Sequence, residues 1–155
     1  MGIRYYAWEI TDSELAEART DPWPVIYRAD GRFHDPEWAN IGLDKAWVEL
    51  QRLLSDPRCR GVFEPRPAYE FFAGNVTYPD GYERGYEAHV GLLSATQVRT
   101  AQQDLATVTT GDVFVAAVSW GRSFCADYAL TYLQEAQEFA ADVTSRGNSM
   151  VYVIR

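Results

Sequence analysis

The chain has 155 residues, a formal net charge of -8, 47% hydrophobic residues and 14% aromatic ones, with five Trp, ten Tyr and seven Phe. The length predicts one globular domain, and this much apolar side chain supplies a core, which excludes intrinsic disorder. The sign of the charge excludes a general nucleic-acid binder, which needs a basic face to neutralise phosphates.

Met1-Gly2-Ile3-Arg4 leads straight into aromatic residues, with neither a charged lead nor an apolar h-region, so no secretory signal is expected. The longest apolar run, Val113 to Val118, falls far short of the ~20 residues that cross a bilayer. Cys59 and Cys125 lie far apart with no C-x-x-C pairing, which predicts reduced thiols and neither a zinc nor a redox site. The expectation is a cytoplasmic protein with no metal, no cofactor, no nucleic-acid partner and no membrane contact.

Tyr5 to Ile10 reads as a strand covered on both faces. Thr11-Asp12-Ser13 then caps a short helix, Glu14 to Arg19, ended by Pro22. Asp21 to Pro36, rich in Pro and Gly, reads as an irregular connection. Leu43, Ala46, Trp47, Leu50, Leu53 and Leu54 share one face of a helix predicted over 43–54 and stopped by Asp56-Pro57. Asp56 to Gly85 reads as a second irregular connection. A loop of that length carrying its own aromatics is a lid, a recognition loop or a segment packed onto its domain.

Tyr86 to Leu93 alternates as a strand, with Ala88, Val90 and Leu92 on one face and Glu87, His89 and Gly91 on the other. Ser94 and Gln97 form a capping box for a helix marked by Val98, Ala101, Leu105 and Val108, ending near Gly111. Periodicity does not decide Val113 to Val118; a buried strand is the expectation. From Ser123 a long helix, with Cys125 on its core face, runs to a Gly147-Asn148 cap, and Met150 to Ile154 is an interior strand. The class is α+β: one compact domain, a mixed sheet holding the N- and C-terminal strands, and three to four helices.

Four stretches taken in order carry a resemblance: Met1-Gly2 before an aromatic strand, Leu43-Asp44-Lys45-Ala46-Trp47, Leu92-Leu93-Ser94-Ala95-Thr96-Gln97-Val98, and Arg146-Gly147-Asn148 before the last strand. Together they resemble the YfbM-like bacterial family, a domain of unknown function. The resemblance implies a single cytoplasmic α+β domain and supplies no reaction. It also implies that many relatives carry a His where this chain has Gln51, so any chemistry of that imidazole is absent here.

Candidate chemistry is sparse. His89 and Glu87 share a strand face, where a carboxylate would fix the imidazole tautomer for general-base work; a satisfied structural His is the alternative. His34, Asp35 and Glu37 form a carboxylate-rich loop that reads as a solvated turn. Cys59 between Arg58 and Arg60 has no paired His to make it a nucleophile. Asp44, Lys45 and Trp47 carry the resemblance and are candidate binding positions, although the helix dipole and the apolar stripe give Asp44 and Trp47 a purely architectural reading. Tyr69 to Tyr86 sets six aromatic rings among glycines, which suits recognition as well as packing, with Tyr78 and Tyr82 the candidate contacts.

Nothing assembles a nucleophile, a base and an oxyanion donor. The favoured expectation is therefore a non-enzymatic acidic domain of adaptor or immunity type that docks a basic protein. The alternative is a small-molecule enzyme built on His89 and Glu87. A third reading makes the aromatics the interface of a homo-oligomer.

Overall fold

The computed structural model describes residues 2–55 and 65–155. Their order is β1 (Tyr5–Ile10), α1 (Asp12–Ala18), α2 (Pro22–Asp30), β2 (Asn40–Asp44), α3 (Trp47–Leu54), β3 (His89–Leu93), α4 (Ala95–Leu105), α5 (Thr110–Trp120), α6 (Ala126–Arg146) and β4 (Ser149–Ile154). Shorter 3-10 turns lie at Pro67–Phe72, Tyr82–Arg84 and Gly121–Ser123. The strands form one sheet in the order β2-β1-β4-β3, every neighbouring pair antiparallel. The α+β class is as expected; the sheet is antiparallel rather than mixed, and six α-helices among the described residues replace the three or four anticipated.

The two terminal strands hold the centre. β1 and β4 pair along their whole length, from Tyr5 opposite Ile154 to Ile10 opposite Ser149. Side chains alternate across a strand, so each central strand feeds two cores. Tyr5, Ala7, Met150, Tyr152 and Ile154 join the larger one, under α3, α4, α5 and α6. Trp8, Ile10, Val151 and Val153 join the smaller one, with Leu15 and Ala18 of α1 and Val25, Ile26 and Ala29 of α2. This explains why β1 and β4 read as apolar on both faces.

Four local expectations are corrected. Residues 22–30 are helical, not irregular. Asp21 caps the Trp23 amide at 3.1 Å, and both prolines, Pro22 and Pro24, lie in the first turn, where backbone N–H groups have no helical acceptor to lose. The helix expected from Leu43 begins at Trp47, because Ile41 and Leu43 are the buried positions of β2. Asp44 then turns the chain with φ of 46°, a left-handed conformation that Asp tolerates better than most residues.

Residues 110–120 are a helix, not a strand, and begin with a capping box in which Thr109 and Asp112 satisfy each other's amides. Cys125, expected on a core face, is exposed at the start of α6. Elsewhere the capping boxes at Thr11/Glu14 and Ser94/Gln97, and the left-handed Gly147 cap, stand where expected.

The long connection divides by behaviour. Asp56 to Glu64 lies outside the described residues. The next stretch packs down: Ala68, Phe71, Phe72 and Val76 are buried, and side chains satisfy its backbone. Tyr5 donates its hydroxyl to the Phe71 carbonyl at 2.7 Å, Tyr152 to that of Ala73 at 2.8 Å, and Gln51 to those of Phe72 and Gly74. Asp104 accepts from the Ala68 amide and pairs with Arg66 at 2.8 Å. Burial pushes the Tyr5 and Tyr152 hydroxyls up from their ordinary value, so both stay neutral donors. Residues 77–87, in contrast, stand out into solvent.

Candidate functional site

The protruding half of the connection is a closed loop. Thr77 and Glu87 exchange backbone hydrogen bonds of 3.1 and 2.8 Å at its base, in line with β3. Between them Gly81 and Gly85, at φ of 87° and 96°, bracket the turn Tyr82–Arg84; these angles favour glycine. Tyr78 is half-buried against the larger core. Its ring centroid lies 4.3 Å from that of Tyr82 and 6.0 Å from that of Tyr86. Tyr82 is 83% exposed and Tyr86 45%. One anchored ring thus holds two rings out in water. Asp80, Glu83 and Glu87 belong to the same segment, all exposed and none in an ion pair among the described residues, against a single Arg84. Tyr78 and Tyr82 were legible as a pair from the glycine-spaced tyrosines. Tyr86 joins them because the bridge at the loop base brings it back over Tyr78.

His89 and Glu87 do not form the expected dyad. Glu87 is exposed at the loop base, and no hydrogen bond or ion pair joins it to His89. The imidazole faces inward, its centroid 6.0 Å from the Tyr152 ring. It sits against the backbone of Gly74 (φ 93°), where a Cβ would stand 2.2 Å from Nε2. Burial holds the imidazole below its ordinary value of 6.5, with no carboxylate to raise it. The neutral form is therefore the one the fold accepts. Stability from this group is complete above pH 6.5 and declines as the pH falls below it, while the unfolded chain takes up the proton first. We expect the urea midpoint to fall as the pH drops below 6.5 and His89→Gln to flatten the start of that limb; an unchanged limb in the variant would assign the loss to other groups.

Asp44 and Lys45 take part in contacts within the fold, and Trp47 lies in the core. The Asp44 carboxylate accepts from the Tyr128 hydroxyl at 2.8 Å and from Arg4 Nε at 2.9 Å; these bonds hold it below the usual carboxylate range. Burial and Asp44 together push Tyr128 up to about 12. Asp44 ends β2 rather than opening a helix, so the dipole account of it lapses. The Lys45 side chain lies over Gly2, where any Cβ would fall 2.0 Å from Cε, so Gly2 and Lys45 of two motifs meet in space. Trp47, expected as a contact, is 3% exposed in the larger core and presents no surface.

The last motif has an unforeseen partner. Glu9, 1% exposed, accepts from Arg146 at 2.5 Å, from the Asn148 amide at 2.5 Å and from the Ala39 backbone at 2.8 Å. Gly147 at φ 68° turns the chain so that residues on both sides of it reach one carboxylate. Gln51, at the position where relatives were expected to carry His, is a loop clamp here. His34 packs edge-on to Phe33 at 5.5 Å, and no group of three or more metal-binding side chains occurs among the described residues. No helix among them is long and apolar enough to cross a membrane.

With the sheet order and these junctions described, comparison with known proteins decides the family. A family model described as a domain of unknown function, DUF1877, matches residues 1–153. The chain belongs to the DUF1877 family. The crystal structure of YfbM from Escherichia coli, described as a protein of unknown function, is similar at TM-score 0.59 and 15% identity, covering 98% of this chain and 99% of that one. At that identity the likeness concerns the fold of DUF1877 domains, not an activity. No curated protein matches the chain.

Proposed function

We propose that this DUF1877 domain is a non-enzymatic, acidic protein-binding module of the bacterial cytoplasm, adaptor or immunity type, whose tyrosine loop docks a basic partner. The carrying observation is the ring cluster of Tyr78, Tyr82 and Tyr86 on a glycine-bracketed turn, in a segment with three carboxylates unpaired among the described residues. Tyrosine gives wide contact area at low entropy cost, and its face attracts Arg and Lys. Carboxylates in the same segment steer such partners and strengthen the contact once water is excluded. The small-molecule-enzyme alternative is less favoured, because no hydrogen bond or ion pair joins Glu87 to His89 to fix the imidazole for general-base work.

Capture from native lysate with the tagged protein tests this. A stoichiometric basic partner, released by salt, is expected. Tyr82→Ala should weaken it about 30-fold, the loss of a central anchor worth about 2 kcal/mol, while leaving the urea midpoint unchanged. Equal capture by the variant would remove the loop from the account.

A further inference from the structure

A second surface lies at the opposite edge of the sheet. β2 is an edge strand, paired with β1 alone. The Glu9 amide donates to the Ala39 carbonyl at 2.9 Å, which makes that facing pair a hydrogen-bonded one, and the register continues through Ala7 opposite Ile41. The antiparallel alternation then turns the amides and carbonyls of Asn40 and Gly42 away from β1, toward the open side. Among the described residues no backbone or side-chain partner meets them there. They border a groove of about 330 Å³, floored by Ile41 and Phe139, flanked by Phe33, and walled by Glu135, Glu138 and Asp142 of α6. These three carboxylates are exposed, and none is in an ion pair.

Open edges are ordinarily blunted by lysine, proline or a covering element. This edge instead combines free backbone donors and acceptors with an apolar floor and an acidic wall. A second copy of the chain added here would carry its own α6 carboxylates against these, so like charge opposes self-pairing. A strand with basic side chains meets opposite charge along the same wall. Side chains two apart on a strand project together, about 6.7 Å apart, and the three carboxylates span about 10 Å of helix, room for two such residues.

We propose that the open edge of β2 accepts an extended segment of another protein carrying Lys or Arg at alternate positions. The segment pairs with the backbone of Asn40 and Gly42 and sets its basic side chains on Glu135, Glu138 and Asp142. This surface is independent of the tyrosine loop, whose base lies next to β3, the other edge strand.

The test uses the full chain and a synthetic peptide of about ten residues, a long strand's length, alternating Lys with Val and Thr. Amide exchange by NMR is followed during titration. Binding is expected with added protection at Asn40 and Gly42. Methylating the peptide's alternate backbone nitrogens should abolish it without changing charge, and the combined change Glu135→Gln, Glu138→Gln and Asp142→Asn, all at exposed positions, should weaken it at least tenfold. Tyr82→Ala should leave it unchanged, so failure here and failure of the loop reading are separable. The proposal is overturned if the methylated peptide binds equally, if protection appears at the loop instead, if no binding occurs, or if the protein alone protects Asn40 and Gly42 in proportion to its own concentration, which would make the occupant a second copy.

Discussion

Replacing Arg146 with Ala is expected to destabilise the domain by about 3 kcal/mol, a drop of roughly 6–12 °C in Tm for a chain of this size. Glu9 is the reason. Its carboxylate is almost wholly enclosed, and Arg146 is its one cationic partner among the described residues. Removing one member of a buried pair leaves the other charge uncompensated, which costs more than the pair contributes over an apolar replacement. The Ala39 and Asn148 donors remain and Arg146 is itself 35% exposed, so the lower part of the usual 3–5 kcal/mol range applies. A double-mutant cycle separates pairing from packing: Glu9→Ala with Arg146→Ala should cost clearly less than the two single changes summed. Additivity, or a shift under about 0.5 kcal/mol for Arg146→Ala, would show that the guanidinium holds nothing.

The pair also explains why the Arg146-Gly147-Asn148 motif coincides with the end of α6. The chain must leave the helix, reverse through a left-handed residue and enter the central strand β4 within three residues. The same three residues close over the end of β1, from which Glu9 points. Their partner lies 137 positions away in sequence, so no local pattern signals it. Arg146 and Asn148 were visible as a motif, but their purpose was not.

Elsewhere legibility followed the strength of the local signal. β1 and β4 were readable as short apolar runs, and α4 and α6 because an apolar stripe agrees with a cap at one end of each. α5 failed on period. Val113 and Ala116 are buried, yet Phe114 is 58% and Val118 86% exposed, so the outer face has no polar stripe to set a 3.6-residue repeat. Its start signal uses Asp112 where the common capping box has Glu or Gln. β2 failed because one of its two buried residues, Leu43, also falls in register with the helix that follows. In the candidate site, composition revealed the tyrosines but not which of them face water. That depends on Ala68, Phe71 and Phe72 being drawn into the core by donors from β1, β4 and α3. The groove at β2 was invisible for a different reason: an open edge is a property of strand order, which only the assembled sheet possesses.

Gly91→Val carries the other large expected effect, about 3 kcal/mol or more, and it tests how the packed half of the long connection is held. Gly91 lies opposite Tyr152 in the β3–β4 ladder, and the Tyr152 ring crosses directly over it. A Cβ at Gly91 would stand 2.0 Å from Cζ and 2.4 Å from Oη. The ring cannot step aside cheaply, since it stacks on Tyr5 at 5.3 Å and donates to the Ala73 carbonyl. A valine therefore both overpacks the core and strips a carbonyl of its donor. Gly91 does not have a positive φ, so the penalty is one of space rather than backbone strain. The companion variants separate the two contributions. Tyr152→Phe removes only the hydroxyl and should leave Gly91→Val nearly as costly, because Cζ remains in place. Tyr152→Ala is itself destabilising, but it empties the volume, so adding Gly91→Val to it should cost little further. Urea unfolding of the four proteins gives the coupling; a Gly91→Val penalty unchanged by Tyr152→Ala would mean that the ring is not what excludes the side chain.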